Sequence, residues 1–123
     1  MATQQEVRNF IKSKYRCEEI NGGTLKFIFD LDAGRSQLVF ADINDSNIQY
    51  LSPFATVDDV TAKQALEANS NYSVGMQLVG EQYMIKHLAF LADLDESEIE
   101  NAFGVVANVA DELEQKLVGG DQL

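Results

Sequence analysis

The chain has 123 residues, 46% of them hydrophobic, and a formal net charge of -11. That length suits one domain, spanning residues 1–123, which buries roughly two-thirds of its unfolded surface and needs no disulfide or structural metal to do so. The acidic balance excludes a nucleic-acid surface, which requires a basic stripe, and it disfavours adsorption to anionic lipid.

Thr3-Gln4-Gln5-Glu6 has the spacing of a capping box, in which the threonine hydroxyl and the glutamate carboxylate each take an orphan helix amide. Val7, Phe10, Ile11 and Tyr15 then line one face of a helix ending near Cys17. Its basic residues Arg8, Lys12, Lys14 and Arg16 read as a solvated face. Asn21-Gly22-Gly23 breaks that helix. Three strands follow. From Thr24 to Leu31, the residues Leu25, Phe27, Phe29 and Leu31 alternate with Lys26, Ile28 and Asp30, the period of a half-buried strand. Asp32-Ala33-Gly34-Arg35 is a hairpin turn, Gln37 to Ile43 returns, and Ile48 to Ala55 is the third strand, in which Pro53 points to an edge or a strand end.

Thr56-Val57-Asp58-Asp59 reads as the N-cap of a short helix running through Leu66 and stopping around Asn69-Ser70-Asn71. Tyr72 to Val79 and Gln82 to Ala92 make a second hairpin across Gly80-Glu81. Asp95-Glu96-Ser97-Glu98 caps a long last helix, and Gly119-Gly120 ends it. The residues Asp121 to Leu123 read as a frayed end. In the last helix Ile99, Phe103, Val106, Ala110, Leu113 and Leu117 repeat at four-three spacing and mark a core face. A second stripe, Ala102, Val105, Val109 and Leu113, widens the apolar arc. Together Ala102, Val105, Val106, Val109 and Leu113 form the candidate interface with a second copy or a protein partner. The expected order is α-β-β-β-α-β-β-α, an α+β fold with an antiparallel sheet and helices on one face. The sheet face left over is a further candidate interface.

The chain offers little chemistry. His87 is the only histidine and falls in a strand. Cys17, the only cysteine, sits beside Arg16, which would lower its pKa, yet it has no partner base and no zinc-ligand spacing. Asp30-Leu31-Asp32-Ala33-Gly34 opens like a calcium loop but lacks the third ligand and the closing glutamate. Asp42, Asn44, Asp45 and Asn47 are turn formers. Gly75 to Gly80 is too poor in glycine for a phosphate cradle, and Met76, Met84, Tyr72, Tyr83 and Phe90 fall at strand spacing and read as core. No catalytic residue, cofactor or metal site is expected. A small-ligand or metal-ion sensor using the Asp30/Asp32 and Asp42/Asp45 turns is the alternative to a binding module. No stretch approaches the ~18 apolar residues of a membrane span and no signal-peptide pattern opens the chain, so a soluble cytoplasmic protein is the expectation.

The element order, size and acidity resemble the type III secretion chaperone-like fold. Within it the chain is most similar to the YbjN-type proteins, a family described as bacterial sensory-transduction regulators. The resemblance is most specific where Leu66-Glu67-Ala68-Asn69 leads into a strand at Tyr72, where Leu88 to Leu94 leads to an acid-rich cap, and in Val106-Ala107-Asn108-Val109-Ala110-Asp111-Glu112-Leu113. The turn Gly80-Glu81-Gln82 departs from the Asp-Gly pair common in the secretion chaperones. The resemblance implies a homodimer with a non-enzymatic role, binding a protein partner.

Overall fold

A computed structural model describes residues 3–31 and 34–119. Helix α1 (Gln4–Lys14) is followed by strands β1 (Glu18–Ile20), β2 (Thr24–Asp30), β3 (Ser36–Ile43) and β4 (Asn47–Thr56). Then come helix α2 (Ala62–Asn69), strands β5 (Gly75–Val79) and β6 (Gln82–Phe90), a 3-10 turn over Leu91–Asp93, and helix α3 (Glu96–Leu117). The fold is α+β. The strands form one antiparallel sheet in the order β1-β2-β3-β4-β6-β5.

The helix starts follow side-chain chemistry. Thr3 and Glu6 make the reciprocal capping bonds at 3.1 Å each, and Asp95 Oδ1 accepts the Glu98 amide at 2.8 Å to start α3. The cap of α2 lies later than the sequence suggests. Asp59 turns back to accept the Thr56 amide and hydroxyl at 2.9 and 3.0 Å, so residues 57–59 form a tight turn. The cap is Thr61, boxed with Gln64. At the other end of α3, Gly119 at φ 87° donates its amide to the Glu114 carbonyl, a left-handed terminus that favours glycine. Gly120, Asp121 to Leu123 and the turn residues Asp32 and Ala33 lie outside the described residues.

Two features of the sheet correct the sequence reading. First, α1 stops at Lys14, and Asn21-Gly22-Gly23 turns β1 into β2, with Glu18 opposite Lys26 and Ile20 opposite Thr24. Three residues are too few to show a period of two, so β1 carries no strand pattern of its own. Second, Pro53 lies in an interior strand. The β3–β4 pairing runs only from Ile43↔Ile48 to Phe40↔Leu51, and beyond it side chains replace the backbone ladder. Gln37 Nε2 donates to Ser52 Oγ (3.0 Å) and to the Pro53 carbonyl (2.7 Å), and Ser52 Oγ donates to the Leu38 carbonyl (2.6 Å). On the other side a bulge separates Pro53 from Ala55 in the β6 register. A residue without an amide fits where the ladder is broken on both sides.

The core lies between the sheet and the helices. Helix α3 crosses β3, β4 and β6, and its Phe103 ring meets Phe27 (4.8 Å), Tyr50 (5.0 Å), Tyr15 (5.1 Å) and Phe29 (5.4 Å) between centroids. Tyr15, just past α1, also packs edge-on to Phe27 and Phe29, and Ala65 brings α2 into the same core. Arg8 fastens α1 to the sheet by donating to the Gly23 and Ile43 carbonyls at 2.7 and 3.0 Å. No helix among the described residues is long and apolar enough to cross a membrane.

Candidate functional site

Helix α3 packs against the face of the sheet that carries Val39, Ala41 and Tyr50, and the opposite face carries large exposed apolar side chains. The register lines up what that outer face presents. Ile28 lies beside Leu38 and Lys26 beside Phe40; Phe40 lies beside Leu51; Leu51 lies beside Lys86, Gln49 beside Leu88 and Asn47 beside Phe90. Ile28 is 66% exposed, Phe90 60% and Leu88 38%. Leu38, Phe40 and Leu51 are half-buried. An antiparallel sheet with one solvated face normally alternates apolar-in with polar-out. Here β3 and β4 carry apolar residues on both faces: Leu38 and Phe40 alternate with the core residues Val39 and Ala41, and Leu51 with Tyr50. The strand pattern predicts a leftover sheet face without assigning residues to it. That signal was present, because an apolar run without alternation marks a strand apolar on both sides.

The face is also nearly balanced in charge. Lys26 and Lys86 stand in one row with Phe40 and Leu51, against Glu18, Asp30 and Asp42 among the outward strand positions. The chain as a whole carries -11.

The two sheet edges differ. Strand β1 is three residues long and carries Glu18 and Glu19, a length and charge that blunt an edge. Strand β5 is Gly75-Met76-Gln77-Leu78-Val79, with neither charge nor proline, and Leu78 is 54% and Val79 39% exposed. It joins β6 through the two-residue turn Gly80-Glu81, with Gly80 at φ 61° and Val79 opposite Gln82. Pairing alternates outward from that closing pair, so Met76 and Leu78 direct their backbone N–H and C=O groups away from β6.

The five residues singled out on α3 separate into two sets. Val106 and Leu113 are fully buried and Ala102 is 8% exposed, all within this chain's own core. Val105 is 47% exposed and Val109 is half-buried, so only these two of the five present substantial surface, and Val105 does so at the cleft beside His87.

The other candidates are dispersed. His87 faces inward beside Tyr50, with ring centroids 5.8 Å apart. It borders an open cleft of about 350 Å³ with Ser73, Glu98 and Asn101 on its walls. Burial pushes the Cys17 thiol above its ordinary pKa, with the Lys12 charge opposing weakly. The charge that opposes desolvation is thus Lys12 and not the expected Arg16. Asp45 accepts from Gln4 Nε2 at 2.8 Å, and Asn44 Oδ1 accepts the Ser46 and Asn47 amides at 2.8 Å each, as turn formers do. Among the described residues no group of three or more histidine, cysteine, aspartate or glutamate side chains is placed to hold a metal ion. Asp32, half of one proposed acidic pair, lies outside them.

The sequence matches no protein-family model, and a search of the curated proteins returns no match.

Proposed function

We propose that the chain is a non-enzymatic protein-binding module, a chaperone-like or regulatory adaptor that acts as a homodimer and holds an extended segment of a partner protein. The observation that supports this best is the β5 edge. It offers the outward backbone groups of Met76 and Leu78 on a strand that lacks charge and proline, the devices by which edges are ordinarily protected from pairing. An extended peptide adding there gains main-chain hydrogen bonds, and alternate side chains set its specificity. The net charge of -11 keeps a chain with so much exposed apolar surface soluble. The similarity to YbjN-type proteins and the secretion chaperone-like fold points to the same class.

The test is selection of unstructured peptides from a random displayed library, followed by binding to Leu78→Pro. Proline at that position removes an outward amide and spares the ladder to β6. Selected peptides with alternating apolar residues should bind the parent protein and lose at least about tenfold in affinity for a folded Leu78→Pro variant. Unchanged affinity would remove β5 as the binding edge.

A further inference from the structure

We infer that the uncovered face of the sheet is the seam of the homodimer, packed against the same face of a second copy. The inference rests on the homodimer part of the proposed function and is independent of strand addition at β5. It moves the seam from α3, where only Val105 and Val109 of the five apolar candidates present substantial surface, to the sheet residues Ile28, Leu38, Phe40, Leu51, Leu88 and Phe90.

Three observations select a second copy as the occupant. The first is width. The apolar residues extend over β2, β3, β4 and β6, which are neighbours in the sheet. Four strands at about 4.8 Å spacing span more than the ~10 Å diameter of a helix, and far more than one extended peptide. A second sheet matches that width, and sheets pack face to face about 10 Å apart through interdigitating side chains. The second is area. The four strands present about 540 Å² in plan at ordinary strand spacing and rise, of the same order as the ~800 Å² that each partner gives to a standard stable interface. The third is charge. Two copies of a chain at -11 repel each other wherever their acidic surfaces meet. The outward strand positions hold Lys26 and Lys86 against Glu18, Asp30 and Asp42, so self-association through this face brings together a nearly neutral surface.

The experiment is sedimentation equilibrium on the full chain over a range of micromolar concentrations, comparing the parent with Ile28→Lys/Leu88→Lys and with Val105→Lys. Ile28 and Leu88 are 66% and 38% exposed and lie outside the core cluster; circular dichroism and thermal melting check that the double variant folds. The parent should be a dimer, the sheet variant should weaken self-association at least about 100-fold, and Val105→Lys should remain dimeric. A dimeric sheet variant alongside a dissociated Val105→Lys places the seam on α3 and overturns the inference while leaving the homodimer intact. A dimer that neither variant disturbs also overturns it. A parent that is monomeric throughout overturns the seam and the homodimer together, and peptide binding at β5 is then judged by its own test.

Discussion

Arg35 Nε sits 3.2 and 3.1 Å from the two carboxylate oxygens of Asp111 and so ties the start of β3 to the second half of α3. Asp111 is 3% exposed and also accepts from Gln115 Nε2 at 2.9 Å. Arg35 keeps about a third of its side chain in solvent (31%), which moderates the value of the pair. Arg35→Ala leaves a buried carboxylate with one neutral donor and should destabilise the fold by about 1–3 kcal/mol in urea unfolding. The double variant Arg35→Ala/Asp111→Ala should cost less than the sum of the two single changes, since removing both partners leaves no orphaned charge.

Phe103 is the centre of the aromatic cluster and is 1% exposed. Phe103→Ala should cost about 3–5 kcal/mol, the loss of a buried ring plus the cavity beneath α3. Val105, two residues on, is 47% exposed, and Val105→Ala should change stability by no more than about 0.5 kcal/mol. Chemical unfolding of both variants checks the orientation of α3 directly.

The cap of α3 gives an acid limb. The Glu98 backbone amide and the Ser97 hydroxyl, donating to Asp95, hold its pKa below the ordinary value of 3.8. The contribution from Asp95 is therefore complete above that value and is lost as pH falls through the lower folded pKa. Glu98 behaves oppositely: the Asp95 charge raises its pKa above 4.5, so protonating it on the way down relieves a small repulsion. On acidification the melting temperature should first hold or rise slightly and then fall. Asp95→Asn keeps a capping oxygen without the charge, and it should flatten both parts of the profile between about pH 6 and 2.

Tyr50 gives an alkaline limb. It is fully buried, desolvation raises its phenol well above the ordinary 10.0, and its hydroxyl has no hydrogen-bond partner among the described residues. Because the folded state favours the neutral phenol, stability is complete below the unfolded pKa of 10.0. It declines as pH rises above that value and the unfolded chain ionises first. Tyr50→Phe should be neutral or stabilising by up to about 1 kcal/mol at pH 7, and its melting temperature should fall less steeply above about pH 10.

The chain's local patterns set most of the elements. The alternation of Leu25, Phe27 and Phe29, the capping residues Thr3 and Asp95, the two-residue turn Gly80-Glu81 and the four-three spacing of Ile99 to Leu113 each act over a few residues, and each occurs where the pattern places it. Those signals are legible because backbone geometry and burial period are local properties. The rest depended on partners distant in sequence. β1 exists because Glu18 to Ile20 meet β2, Pro53 is tolerated inside the sheet because Gln37 and Ser52 take over the broken ladder, and Thr61 caps α2 because Asp59 is drawn back to Thr56. The candidate surfaces divide in the same way. Periodicity identified α3 as apolar over a broad arc, but only its packing on β3, β4 and β6 buried Val106 and Leu113 and left Val105 outside. Leu38, Phe40 and Leu51 became a continuous outer surface only when the register set β2, β3, β4 and β6 side by side with the helices gathered on the opposite face, because which side of a sheet meets the helices is decided by the assembled layers and not within any one strand.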